Sequence, residues 1–315
     1  MTQLGSSGID VSEVCLGGNV FGWTADEAES HRLLDRFVEA GGNFVDTADV
    51  YSRWADGNTG GESERVIGRW LRGRGRRDDV VVATKVGQLG GFEGLSAQNI
   101  ARAADASLRR LATDYIDLYY AHIDDRDVPL EETLGAFEQL VTAGKVRCIG
   151  ASNYSAPRLS EALAIANDRR WTSYSVVQTH YNLVHRHEFE DELADLCDQE
   201  RILCVAYSAL ADGFLTGKYR RGSPPPTSAR AEDVQPYLTA EHDAALAALD
   251  EVASNHRVAV AAVALAWLAA HVGVVPLASA RTTDQLEEIL QARGLQLSDA
   301  EIELLDSQTA GLAHT

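Results

Sequence analysis

The chain is 315 residues long, 45% hydrophobic and 24% charged, with a formal net charge of −19. Length and apolar content suffice for a large buried core, while the charge argues against nucleic acid or an anionic membrane surface as a partner, since both need a basic face built against the molecule's own field. Cys15, Cys148 and Cys204 fall inside apolar strand-like runs and Cys197 inside a helical one, without CxxC or other metal spacing, so reduced core thiols of a cytoplasmic protein are expected.

In chain order, MTQLGSSGIDVS has neither a basic start nor an apolar stretch and does not read as a signal peptide. Its Gly-containing turns predict a β-hairpin ahead of the first strand. Strand-like runs then recur as EVCLG at 13, NFVDT at 43, VVVATK at 80, YIDLYYAH at 115, VRCIGAS at 146, SVVQTH at 175, ILCVAYS at 202 and VGVVPL at 272. Between them lie amphipathic stretches at 26–40, 62–72, 98–112, 132–143, 156–167 and 187–198. Repeated βα units with right-handed crossovers predict an α/β fold, a (β/α)8 TIM barrel, as a single domain over residues 1–315.

Strand ends from Asp46 through Lys85, His122, Ser152, Gln178 and Tyr207 are spaced by 26 to 39 residues, but the step from Tyr207 to Ser279 is 72. The excess holds a long Gly-, Pro- and Arg-rich loop after strand 7, Ala211 to Pro236, and an additional helix near 240–254 that opens the extra C-terminal helices. Residues 211–230 carry Lys218, Arg220, Arg221 and Arg230 against Asp212, a local charge of +3, with Gly213, Gly217 and Gly222 for hinges. Val258 to Ala278 is long enough for a membrane span. It is Ala-rich, however, and broken by His271 and Gly273, which predicts a buried helix followed by a strand.

Four residues at or just past strand ends carry the chemistry: Asp46 and Tyr51 in GGNFVDTADVY, Lys85 in VVVATK and His122 in DYIDLYYAH. A phenol with a reference pKa of about 10 is a poor acid near neutrality unless a neighbouring ammonium favours its anion. Lys85 supplies that charge, Asp46 holds Lys85 charged and in place, and His122 orients a carbonyl or joins the proton relay. Any one of these residues alone is more often structural. Four at neighbouring strand ends predict hydride and proton transfer to a carbonyl.

This set, with GGNFVDTADVY, ATK and the strand-end histidine, resembles the Asp, Tyr, Lys, His tetrad of the aldo-keto reductase family, and the similarity runs from QLGSSGIDVSEVCLGG to SARTTDQLEEIL. The resemblance implies an oxidoreductase that reduces aldehydes or ketones, uses NADPH in preference to NADH and holds no metal. It places Ser152, Asn153 and Gln178 on the nicotinamide and the ring of Tyr207 against it. Ser208, Leu210, Gly213, Leu215, Gly217 and Lys218 match the loop around the pyrophosphate, and Ser279, Arg281, Gln285 and Glu288 the adenosine end. Arg281 offers the fork that suits a ribose 2′-phosphate. Two positions depart from the family pattern: Ile289 stands where an Asn is common, and Ala209 where a Pro is common.

Three other readings compete. HYNLVHRHEFEDE carries His180, His185, His187, Glu188 and Asp191, a set with metal-ligand chemistry. A barrel hydrolase would pair such a set with HxH at the first strand, and EVCLGGNV has no histidine, so a polar βα loop and helix start is expected. Lys85 as a Schiff-base lysine would make an aldolase, but Asp46 beside it opposes a neutral amine. Some proteins resembling the family are NADPH-binding regulatory subunits of membrane channels; the acidic charge and the lack of a docking extension favour a free enzyme, monomer or homo-oligomer, acting on a small carbonyl substrate. The substrate loops are expected at Val20–Trp23, Tyr51–Gly61 and Gln88–Leu95, with Phe21, Trp23 and Trp54 as an apolar wall and Arg53 or Arg126 for an anionic group.

Overall fold

The computed structural model describes residues 1–224, 229, 231–310 and 312. Thr2–Gln3 and Asp10–Val11 pair antiparallel as the expected hairpin. Eight parallel strands follow: β1 (Cys15–Gly17), β2 (Phe44–Asp46), β3 (Val81–Val86), β4 (Ile116–Ala121), β5 (Val146–Ser152), β6 (Val176–His180), β7 (Leu203–Tyr207) and β8 (Val274–Ala278). They neighbour one another in chain order and close into a barrel, with Leu277 opposite Cys15 joining β8 to β1.

Side chains alternate across each strand. One set, including Cys15, Phe44, Val81, Ala83, Leu118, Tyr120, Cys148, Val176, Leu203, Val205, Val275 and Leu277, fills the barrel interior, and Leu4, Ile9 and Val11 of the hairpin join it as a plug. The intervening set, including Val45, Val82, Tyr119, Ile149, Val177 and Cys204, packs outward against the helices. Gly150 is the interior position of β5 because Tyr120 occupies that space: a Cβ there would stand 2.7 Å from the Tyr120 ring.

The helices are α1 (Glu27–Glu39), α2 (Glu62–Arg74), α3 (Ala97–Leu111), α4 (Leu130–Thr142), α5 (Ala156–Arg169), α6 (His187–Glu190), α7 (Leu193–Glu200), α8 (Ala240–His256), α9 (Val260–Ala270), α10 (Thr283–Leu290) and α11 (Asp299–Thr309). Side-chain caps start several of them: Asp26 on α1, Ser96 on α3, Thr282 on α10 and a Ser298–Glu301 capping box on α11. The helix expected over 187–198 is two short ones, α6 and α7. Among the described residues no single helix is long and apolar enough to cross a membrane; α8 and α9 pass only as a pair, and the chain bends 96° between them.

Candidate active site

The period of two carries each strand's interior face one step past its apolar layer, and there the polar residues stand. Phe44 is followed inward by Asp46, Val81 and Ala83 by Lys85, Leu118 and Tyr120 by His122, Val176 by Gln178, and Val205 by Tyr207. All lie at the C-terminal ends of barrel strands, where barrel active sites are built.

Asp46 and Lys85 are wholly buried. Lys85 Nζ donates to Asp46 Oδ1 at 2.5 Å, to the Thr47 carbonyl at 2.8 Å and to Tyr51 Oη at 2.8 Å. Three acceptors use all three ammonium protons. Tyr51 Oη lies 3.4 Å from Asp46 Oδ1, and Gln178 Nε2 donates to Asp46 Oδ2 at 3.0 Å. Burial works against the charge on Lys85, but Asp46 and Tyr51 outweigh it and raise its pKa. Burial also pushes Tyr51 up to about 12; Lys85 pulls it down and Asp46 pushes it up. The phenol is therefore held protonated, with an ammonium in contact to receive its anion.

His122 packs edge-on to Tyr51 with ring centroids 6.1 Å apart. Burial, then Lys85, drive its pKa well below the usual histidine value, so the ring is neutral at physiological pH. Its buried Nδ1 has no partner among the described residues.

A cleft of about 930 Å³ opens above these groups. Tyr51, His122, Ser152, Asn153, Gln178, Tyr207, Ser208, Leu210, Gly213, Lys218, Ser279, Arg281, Gln285 and Glu288 all line it, as do Ile289 and Ala209. Asn153, left-handed at φ 61°, donates to the His122 carbonyl at 3.1 Å, and its Oδ1 accepts from Tyr207 Oη at 2.9 Å. Gln178 spends an amide proton on Asp46. The floor is thus fixed by internal bonds, and Tyr207 is further braced by His180, stacked 5.4 Å from it at 17°. Among the described residues, six of the loop after β7 have positive φ: Ser208, Ala211, Asp212, Gly213, Gly217 and Gly222. Arg281 lines the cleft with no ion pair among the described residues, and its backbone N–H is held by Gln285 Oε1 at 3.0 Å.

Several of the expected residues stand apart from the cleft. Leu215 and Gly217 do not line the cleft: Leu215 is buried in the outer core, and Gly217 caps a 3-10 turn over Ala211–Thr216. Arg220 and Arg221 turn away to Asp250 at 2.7 Å and Asp243 at 2.5 Å on α8, and among the described residues of the loop Lys218 is the cation at the cleft. Arg230 and residues 225–228 of that loop lie outside the described residues. Phe21 is wholly buried, so the aromatic wall is Trp23 and Trp54, edge to face at 5.8 Å, with Tyr51 6.0 Å from Trp54. Neither exposed Arg53 nor Arg126, bonded to Asp124 at 2.8 Å, lines the cleft.

Sequence reasoning missed Asn19, whose Oδ1 accepts from Ser279 Oγ at 2.5 Å. The signal was the glycine pair before it: a Cβ on Gly17 would stand 2.4 Å from Ser279 Oγ, so only Gly lets β1 and the end of β8 approach.

The aldo/keto reductase family model matches residues 13–309. The chain is similar to the uncharacterized oxidoreductase YrpG of Bacillus subtilis, 35% identical over 97% of this chain and 94% of that protein. It is also 35% identical to norsolorinic acid reductase stcV of Emericella nidulans, over 94% of this chain and 78% of the relative. A third relative, named "Probable voltage-gated potassium channel subunit beta", from Oryza sativa subsp. japonica, is 32% identical over 92% and 96%.

Proposed function

The chain belongs to the aldo/keto reductase family, and from that membership we propose that it reduces an aldehyde or ketone to an alcohol with NADPH, taking the proton from Tyr51. The observation that carries this reading is the buried ammonium of Lys85 seated between Asp46 at 2.5 Å and Tyr51 Oη at 2.8 Å. When bound, the nicotinamide cofactor supplies the hydride.

The chain's own residues do the rest. Trp23, Trp54 and Tyr51 wall the entry with apolar surface and admit a carbonyl carrying an apolar group. Neutral His122 offers one ring proton to orient the carbonyl oxygen. Tyr51 Oη transfers its proton to that oxygen as charge develops, and the anion left behind is met by Lys85 without any rearrangement. Asp46 balances Lys85 through the cycle. Ser152, Asn153, Gln178 and Tyr207 would hold the nicotinamide, Ser208, Leu210, Gly213 and Lys218 the pyrophosphate, and Ser279, Arg281, Gln285 and Glu288 the adenosine end. A single cleft lined by Tyr51 and His122 and also by Arg281 fits such a cofactor.

The three bonds on Lys85 leave its nitrogen no lone pair for a Schiff base, which counts against the aldolase reading. Similarity to a protein named as a channel subunit supports a second reading, a cofactor-binding regulatory subunit; the assembled tetrad favours turnover. A panel of carbonyl substrates followed by NADPH absorbance tests the proposal. Tyr51→Phe is expected to lower turnover by about 10²–10⁴ while leaving NADPH affinity unchanged, because the phenol acts on the substrate. A deficit of only several-fold would place the proton donor elsewhere.

A further inference from the structure

The loop after β6 brings three metal-ligating side chains together outside the tetrad. Asn182 and His185 exchange backbone hydrogen bonds of 3.1 Å in both directions, and Asn182 Oδ1 accepts from Val184 N at 3.0 Å. This tight turn fixes His185, which is 7% exposed. The chain then enters α6 directly, so His187 and Glu188 stand on its first turn. One ligand atom from each of His185, His187 and Glu188 lies within 4.8 Å of the others, and His185 Nε2 is 3.2 Å from Glu188 Oε1.

We propose that His185, His187 and Glu188 form a binding site for one divalent transition-metal ion, with Zn²⁺ the best match. Two imidazoles and a carboxylate are the donor set that zinc takes in open sites, and they select against Mg²⁺ and Ca²⁺, which prefer oxygen ligands. Zinc bonds of about 2.0–2.2 Å in a tetrahedron put neighbouring donors roughly 3.3–3.6 Å apart. The buried imidazole is already in place; closing to that spacing requires half-buried His187 and exposed Glu188 to turn their donor atoms toward it. Three protein ligands leave the fourth position to water. His185 also stacks on His180 at 3.8 Å and 11°, and His180 stacks on Tyr207, so an ion here braces the rings beneath the cleft. The site is independent of the proposed reaction: it uses none of the tetrad, and its test needs no turnover.

The test is a Zn²⁺ titration of the full chain by calorimetry, against a chelator of known affinity, with Mg²⁺ in excess throughout. His185 is buried and its replacement perturbs the fold, so His187→Ala and Glu188→Gln carry the comparison. The expected result is a single ion bound in the parent and a loss of at least about ten-fold in affinity in each variant, with melting curves of the parent and variants alike in chelator. Crystals soaked in Zn²⁺ should show an anomalous peak among the three side chains. Binding undiminished in both variants, a peak elsewhere such as beside His31 and Glu27, or no binding in the presence of Mg²⁺ would each overturn the site.

Discussion

Asp46, the last residue of β2, and Asp49, three residues further on, meet opposite surroundings. Asp46 accepts from Lys85 and Gln178, whereas Asp49, 1% exposed, has no partner for either carboxyl oxygen among the described residues. Burial first, and then the charge of Glu64, push Asp49 up to about 8, with Arg110 pulling only partly back. Because the folded value lies above the unfolded one, the fold is unpenalised below about pH 4, loses stability as pH rises from there, and completes the loss near 8. Asp49→Asn should therefore leave the melting temperature unchanged near pH 4 and raise it at pH 8, by an amount equivalent to at most roughly 6 kcal/mol. Parallel pH profiles for parent and variant would show that this carboxyl is not held protonated. At Arg281 the prediction concerns affinity: a charge-assisted contact to a 2′-phosphate is worth about 1.5–3 kcal/mol, so Arg281→Ala should weaken NADPH by about ten- to a hundred-fold and NADH hardly at all. Equal losses, measured by fluorescence titration, would assign Arg281 to the fold or the shared adenosine. The tetrad was legible in the sequence because strand-end position and residue type point the same way. Phe21, Arg53, Arg126, Leu215 and Gly217 were not, because neighbours on one loop point to opposite sides, and no periodicity tells which side faces the cleft.

Among the elements, the loop after β7 departs most from its expected behaviour. In the sequence its basic residues give a local charge of +3; in the structure Arg220 and Arg221 are tethered to α8, and among the described basic residues of the loop only Lys218 lines the cleft. Such exposed pairs contribute little, typically under about 1 kcal/mol each, so they do not shield the segment from protease. Trypsin is expected to cut quickly after Lys218, Arg220 or Arg221 in the protein alone, and slowly at saturating NADPH, if closure over the pyrophosphate orders the loop. Mass spectrometry of the fragments reads both rates, and equal rates would remove any closing motion from the mechanism. Helix and strand positions were read to within a few residues where apolar periodicity was long. The Gln88–Leu89 and Phe92–Glu93 hairpin inside the expected substrate loop went unread because two-residue strands carry no period, and the division of α6 from α7 went unread because the polar pattern runs on through it.

At the scale of the molecule, the barrel was legible because strands covered on both faces are apolar runs that recur with helices between them, a pattern that few topologies satisfy. What sequence could not supply was the layering that lines up Asp46, Lys85, His122 and Gln178 over a core sealed from below by Leu4, Ile9 and Val11. The same layering sets the fate of the sulfur atoms. Cys15, Cys148, Cys197 and Cys204 are all unpaired and buried, and desolvation pushes every thiol upward, to about 11 at Cys148 and about 12 at Cys197. A disulfide-forming dye should find no fast-reacting thiol in the native protein and all four after unfolding; a fast-reacting thiol before unfolding would contradict the packing. The thiolate is the form that peroxide attacks, and the sole methionine, Met1, sits exposed at the chain's end, far from the barrel's mouth in sequence. An oxidative burst that silences enzymes with exposed thiolates thus finds no sulfur switch to throw here, and catalytic capacity should survive peroxide exposure undiminished.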